Sequence, residues 1–112
     1  MLGIAKQSSK CRECIDVKEI KFRTISLMIE YLEKCKSKCA FFTSRKLTKL
    51  YVRKHKCENV KYISTIIMNL LFYLCDANII DLVTNSCSGL VYVVCKDKLD
   101  KLHEVQSILK LI

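Results

Sequence analysis

Residues 40–55 read AFFTSRKLTKLYVRKH, a short apolar run followed by a strongly basic segment. The segment carries five positive charges and no negative one. The two phenylalanines are too few for a helix and fit a short buried strand. Thr43 or Ser44 can then cap a helix that reaches about residues 54–56. The stretch therefore predicts a strand that leads directly into a capped, basic helix.

The basic helix has two distinct faces. Leu47, Leu50 and Tyr51 recur at helical spacing and are predicted to be buried. The remaining positions carry the basic side chains of Arg45, Lys46, Lys49, Arg53 and Lys54. A concentrated positive patch is typical of a protein with a polyanionic partner, although most charge runs are simply solvated surface. The absence of acidic residues in this run favours the polyanion interpretation.

The charge is distributed unevenly along the chain. The protein has 112 residues and a net charge of +9. Residues 1–60 hold 15 lysines and arginines against 6 acidic residues, whereas residues 61–112 hold 5 against 5. This length and a hydrophobic content of 51% are typical of one globular domain. The entire excess of positive charge therefore lies in the first half of one domain.

No segment of the sequence resembles a membrane anchor or a signal peptide. Charged or amide side chains interrupt every apolar run before it reaches the length of a membrane span. The first residues lack the apolar region of a secretory signal. We therefore expect a cytoplasmic protein without a membrane partner.

The eight cysteines permit a metal site but do not require one. Two closely spaced pairs supply the candidate zinc ligands Cys11, Cys14, Cys35 and Cys39. Zinc takes four ligands in a tetrahedron, and two such pairs provide them. Free thiols or one or two disulfides are the alternative, which is slightly favoured. Cys75 and Cys95 lie in apolar segments and are expected to pack as small hydrophobic residues.

The segment before the basic run contains one clear helical pattern. Its apolar positions are Ile25, Met28, Ile29 and Leu32. They predict a helix from Thr24 to about Lys38, capped by Thr24 or Ser26. The preceding IDVKEIKF, residues 15–22, fits either a short strand or an arm.

The segment after the basic helix predicts a helix, a hairpin and a last helix. The third helix has a wide apolar face, is capped by Asn59 or Ser64, and ends near Asn78, a residue type that tolerates a left-handed backbone. The runs IIDLV and GLVYVV, separated by TNSCS, predict a β-hairpin. Residues 96–112 again show helical spacing.

This order of elements resembles the winged helix-turn-helix superfamily over about residues 24–95. The likeness is carried by FFTSRKLTKL at the strand and second helix, LLFYLCDANIIDLV at the end of the third helix, and SCSGLVYVV at the hairpin. The family includes many archaeal and viral regulators. The resemblance implies a mainly α, α+β fold with an N-terminal arm at 1–22, a winged-helix domain at 23–95 and a C-terminal helix at 96–112.

The resemblance also implies a regulator of transcription that binds double-stranded DNA. The second helix would cross the backbone with its basic residues near phosphates, and the third helix would enter the major groove. The residues then expected to face base edges are Lys61, Tyr62, Ser64, Thr65 and Asn69. Because the third helix has only one positive charge, the alternative is a winged-helix protein-interaction module, with or without zinc, that binds no specific DNA.

The last helix carries a stripe that suggests a homodimer. Its members are Leu99, Leu102, Val105, Leu109 and Ile112. They recur at heptad spacing, and two-fold proteins read two half-sites in DNA. The alternative, nearly as well supported, is that this helix folds back onto the first helix.

No feature of the sequence predicts an enzyme. His55 and His103 are the only histidines and lie on polar faces of predicted helices. The sequence contains no glycine-rich phosphate loop and no carboxylate pair suited to acid–base catalysis. We therefore expect neither a catalytic residue nor a small-molecule substrate.

Overall fold

The computed structural model describes residues 16–86 and 89–111. Its elements are α1 (Val17–Lys34), β1 (Cys39–Phe42), α2 (Ser44–His55), α3 (Val60–Asp76), β2 (Asp81–Ser86), β3 (Gly89–Cys95), a single 3-10 turn (Lys96–Lys98) and α4 (Leu99–Leu111). The predicted α+β class, mainly helical with one small sheet, is confirmed. No helix in the described part of the chain is long and apolar enough to cross a membrane.

Helix α1 begins earlier than the sequence pattern predicted. The Asp16 carboxylate accepts hydrogen bonds from the backbone N–H groups of Lys18 and Glu19, at 3.1 and 3.3 Å. An acidic cap followed three residues later by Glu19 is a start signal that the apolar periodicity did not reveal. The strand-or-arm interpretation is therefore wrong from Val17 onward. The predicted boundary between residues 22 and 23 falls inside the helix.

The caps predicted for this helix are internal residues. Thr24 is buried, and its Oγ1 donates to the carbonyl of Ile20 at 2.7 Å. Ser26 lies a further half turn along the same helix. The helix ends at Lys34, where the N–H of Cys35 donates back to the last turn. The predicted end near Lys38 is thus also wrong, and the lysines after Lys34 lie in a loop.

Helix α1 is the central element of the core. Its buried residues are Ile20, Thr24, Ile25, Leu27, Met28, Ile29 and Leu32. They point in several directions around the helix axis, because α1 contacts α2, α3, α4 and β1. A helix covered on several sides buries more apolar surface than one with a single stripe, and this burial is the main stabilising term.

The sheet has three antiparallel strands in the order β1-β3-β2, so the first strand pairs with the last. Phe42 lies opposite Tyr92, and both side chains are almost fully buried. The ring of Tyr31, on α1, meets the ring of Phe42 edge-on with centroids 5.3 Å apart. An irregularity between Leu82 and Thr84 interrupts the β2–β3 register. The predicted short strand and the predicted hairpin are confirmed.

A disulfide joins strands β1 and β3. Cys39 and Cys95 lie directly opposite each other in the β1–β3 register and are bonded. The prediction of Cys39 as a zinc ligand is therefore wrong, because a bonded sulfur is not a thiolate. Cys95 is likewise not a simple apolar packing residue, whereas Cys75 is a free thiol packed against the core.

Of the other predicted zinc ligands, Cys35 alone lies among the described residues. Cys11 and Cys14 lie outside the described residues. Cys35 is a free thiol at the end of α1, and its sulfur lies 3.7 Å from the carbonyl oxygen of Cys39. Among residues 16–86 and 89–111, no three His, Cys, Asp or Glu side chains are grouped to hold a metal ion.

Helix α4 folds back onto α1 of the same chain. Leu102 is completely buried, and Leu99, Val105 and Leu109 pack against the core. The amide of Gln106 donates to the Phe22 carbonyl and to the Ser26 hydroxyl of α1. The apolar stripe is therefore covered within one chain and is not free to form the predicted dimer contact.

Helix α4 can fold back onto α1 because α1 starts earlier than predicted. Residues 17–23 extend the helix and supply the surface on which α4 packs, a surface absent from a helix that begins at Thr24. Ile112, the last residue of the predicted stripe, lies outside the described residues. The exposed apolar residues of α4 are Ile108 and Leu111.

Replacing both bonded cysteines is expected to lower the free energy of unfolding by about 2–4 kcal/mol. The bond joins residues separated by 56 positions and so restricts the unfolded chain. Urea denaturation of Cys39→Ala/Cys95→Ala measures the loss. Each single variant should lose nearly as much as the double variant, since either change removes the bond. Two single losses that add up to the double loss would contradict this account.

Truncating Leu102 tests the docking of α4. Leu102→Ala should destabilise the protein by about 2–5 kcal/mol, because a fully buried leucine leaves a cavity. The matched control is Leu111→Ala, whose side chain is 86% exposed and should change stability by less than about 0.5 kcal/mol. Equal stabilities of the two variants in thermal denaturation would show that α4 is not held on α1.

Candidate nucleic-acid interface

Helix α2 starts and packs as the sequence predicted. Thr43 is the N-cap, and its Oγ1 accepts a hydrogen bond from the backbone N–H of Lys46 at 3.0 Å. Leu47 and Tyr51 are completely buried, and Leu50 packs against the core at its edge. Since strand β1 ends one residue before the cap, the strand sets the point from which α2 projects.

Three cations on α2 form an exposed row. Arg45, Lys49 and Arg53 recur every four residues, and all three are exposed; we call them the basic stripe. In the described part of the chain the two ion pairs are Arg23–Glu19 and Lys54–Glu30, and neither involves the stripe. The positive charge of the stripe is therefore uncompensated by neighbouring carboxylates. A shallow depression runs along it, lined also by Thr43, Lys46 and Leu50.

Lys46 has a structural role that the sequence did not show. Its ammonium donates to the Tyr31 hydroxyl at 3.0 Å and to the Phe41 carbonyl at 3.3 Å. The same nitrogen lies 4.1 Å from the centre of the Tyr31 ring, a cation–π distance. Because two of its three donors are used, Lys46 mainly fastens α2 to α1 and β1.

Lys54 also differs from the basic stripe. It lies on the side of α2 that faces α1, where its ammonium is 3.5 Å from a carboxylate oxygen of Glu30. Both side chains are half exposed, so the pair contributes little to stability. Glu30 nevertheless offsets the charge of Lys54, which makes it a weaker candidate for a phosphate contact than Lys49 or Arg53.

A tight turn connects α2 to α3. Residues 56–59 separate the two helices, and Lys56 adopts the left-handed conformation with φ 53°. Asn59 occupies the predicted N-cap position of α3 but makes no side-chain capping bond. The two helices pack against each other. The two helices are therefore consecutive in the chain, packed together and joined by a short turn.

Helix α3 buries one face and exposes most of the polar side chains singled out above. The buried residues are Ile63, Ile66, Ile67, Leu70, Leu71 and Leu74. Lys61, Thr65 and Asn69 are exposed. Tyr62 and Ser64 are half-buried on the two flanks. The structure thus brings three of the five predicted residues onto the open face.

The open face of α3 also carries apolar residues. Met68 is 38% exposed, Phe72 44% and Tyr73 57%. Phe72 and Tyr73 were not among the predicted site residues, because apolar side chains near the end of a helix with a wide apolar face are expected to be buried. Phe72 lies four residues after Met68, just as Thr65 lies four residues after Lys61. This spacing places residues on one side of a helix and could have identified Phe72 as a site residue.

The end of α3 leads directly into the hairpin. The helix ends at Asp76, and Asn78 adopts the left-handed conformation with φ 62°, as predicted. The N–H of Ile79 donates to the Leu74 carbonyl at 2.9 Å and closes the helix end. Strand β2 then begins at Asp81, so α3 and the hairpin are joined without a long loop.

His55 closes α2 beside the buried Tyr51. Their ring centroids are 4.6 Å apart. Burial lowers the pKa of His55 below its ordinary value of 6.5, and the positive charges of Arg23 and Lys54 lower it further. His55 is therefore neutral at neutral pH, and the charge of this helix comes from its lysines and arginines.

No family model, curated protein or solved structure matches this chain.

The lowered pKa of His55 predicts an acid-sensitive contribution to stability. The folded state resists protonation of His55 more than the unfolded state does, so stability should fall as the pH drops from about 7 to about 5. Thermal denaturation across this range should show a shallower fall for His55→Gln than for the wild type. His103→Gln, which alters an exposed histidine on α4, is the control. An unchanged pH profile in His55→Gln would refute the assignment.

Proposed function

We propose that this protein binds double-stranded DNA and regulates transcription, and that its fold is a winged helix-turn-helix. The order of elements supports this proposal: a first helix, a strand, two consecutive helices and a hairpin. So does the pairing of the short first strand with the last strand of the hairpin. Helix α4 is then an addition packed on the outside of α1.

The observation that carries the proposal is the basic stripe on the first helix of a helix-turn-helix unit. Arg45, Lys49 and Arg53 span about 12 Å along α2, at a rise of about 1.5 Å per residue. They face solvent without carboxylate partners among the described residues. DNA carries a regular row of phosphates, and neutralising them releases counterions, which favours binding. A row of unpaired cations suits that partner better than a general solubilising surface.

The two helices would have different roles in the complex. Phosphate contacts fix the position of a protein on DNA, whereas contacts to base edges select the sequence. We assign the first role to the basic stripe of α2 and the second to the open face of α3. The amide of Asn69 suits adenine, and the ammonium of Lys61 suits guanine.

The number of chains on DNA is a separate question from the fold. A homodimer remains a prediction, because two half-sites would strengthen a modest set of contacts. Leu102 and its neighbours are covered by α1, so a dimer would have to use another surface.

Neutralising the basic stripe should weaken DNA binding without changing sequence preference. Arg45→Gln/Lys49→Gln/Arg53→Gln should lose affinity to a similar degree on every duplex. The slope of log affinity against log salt should become shallower by about 0.9 for each phosphate contact removed. Fluorescence anisotropy at several salt concentrations measures both quantities.

The matched control changes the net charge equally at another helix, which packs against α1. Lys98→Gln/Lys101→Gln/Lys110→Gln removes three positive charges on or next to α4. This variant should keep most of the wild-type affinity and slope. Equal losses in both triple variants would show that net charge alone drives binding. A wild type that binds no duplex would instead support the protein-interaction module.

A further inference from the structure

The outward side of α3 combines apolar and polar groups in one narrow strip. Lys61, Thr65, Met68 and Phe72 follow one another at intervals of four, three and four residues; we call them the outer strip. At about 100° per residue these four lie within an arc of roughly 60°, with Asn69 immediately beside them. The strip is about 16 Å long, comparable to the width of about 12 Å of a DNA major groove.

The charges at the ends of the strip limit what it can bind. Lys61, at the first turn, is the only cation of α3, and Asp76 closes its last turn. Such a helix has little attraction for phosphates. Met68 and Phe72 expose large apolar side chains outside the face of isoleucines and leucines that α3 buries. Exposed apolar side chains that lie side by side form a candidate binding surface.

We infer, on the basis of the proposed function, that Met68 and Phe72 contact the C5-methyl groups of thymines in the major groove. This methyl is the apolar group that a base pair presents there, and it distinguishes A·T from G·C. Asn69, beside them, suits the adenine edge of the same pairs. The ligand class is therefore duplex DNA with A·T pairs where α3 enters the groove.

Charge favours DNA over a second copy of the chain as the occupant of this strip. The outer strip belongs to the helix that packs against α2, which carries the basic stripe. Two copies joined through α3 would bring two proteins of charge +9 together, each with a basic stripe on the helix packed against α3. A polyanion that also offers apolar groups in a groove complements both features at once.

The experiment separates the methyl group from every other property of the base. A tight-binding duplex is first selected from a random pool, and each thymine is then replaced in turn by deoxyuridine, which lacks the methyl but pairs identically. At the thymines that face α3, the wild type should lose about fourfold in affinity for each methyl removed. Phe72→Ala and Met68→Ala should bind the thymine and uracil duplexes more nearly equally.

The control is Leu111→Ala, which removes an exposed apolar side chain from α4 and should keep the preference for thymine. Wild-type binding that is indifferent to every uracil replacement would overturn this inference while leaving DNA binding intact. No binding to any duplex would overturn the proposed function as well. A wild-type dimer that becomes a monomer in Phe72→Ala by analytical ultracentrifugation would assign the strip to a second copy and overturn the inference.

Discussion

The pairing of β1 with β3 is the constraint on which the arrangement of this protein depends. It brings residue 39, just after the first helix, against residue 95, just before the last. Phe42 is thereby held in edge-on contact with the ring of Tyr31, and the next residue, Thr43, caps α2. The point from which the basic helix leaves the core is thus set by a strand of four residues.

Those parts of the fold that depend on local chemistry could be predicted from sequence. The Thr43 cap, the buried Leu47 and Tyr51, and the left-handed Asn78 each follow from residues within one or two helical turns. The β-rich runs on either side of a polar loop identified the hairpin in the same way. The exposed Arg45, Lys49 and Arg53 followed once the buried face of their helix was known.

What could not be predicted depends on partners distant in sequence. The periodicity from Ile25 does not reveal that Asp16 starts the same helix, or that α4 will cover it from 80 or more residues away. Cys39 has many candidate partners by spacing, and only the strand register selects Cys95. Lys46 looks like any other lysine of the basic run until α1 places Tyr31 above it. Each of these contacts is decided by tertiary packing.

The covalent link between Cys39 and Cys95 has a mechanical consequence. It turns the segment between them into a closed ring that contains α2, α3 and the hairpin, while α1 and α4 form two tails that leave the ring at one point. A force applied between residues 35 and 96 would act on the sulfur–sulfur link before it reached the strands and helices between the two cysteines. Roughly 190 Å of extended polypeptide would stay out of the load path. The helices that carry the candidate DNA contacts would be shielded from tension applied between these two points.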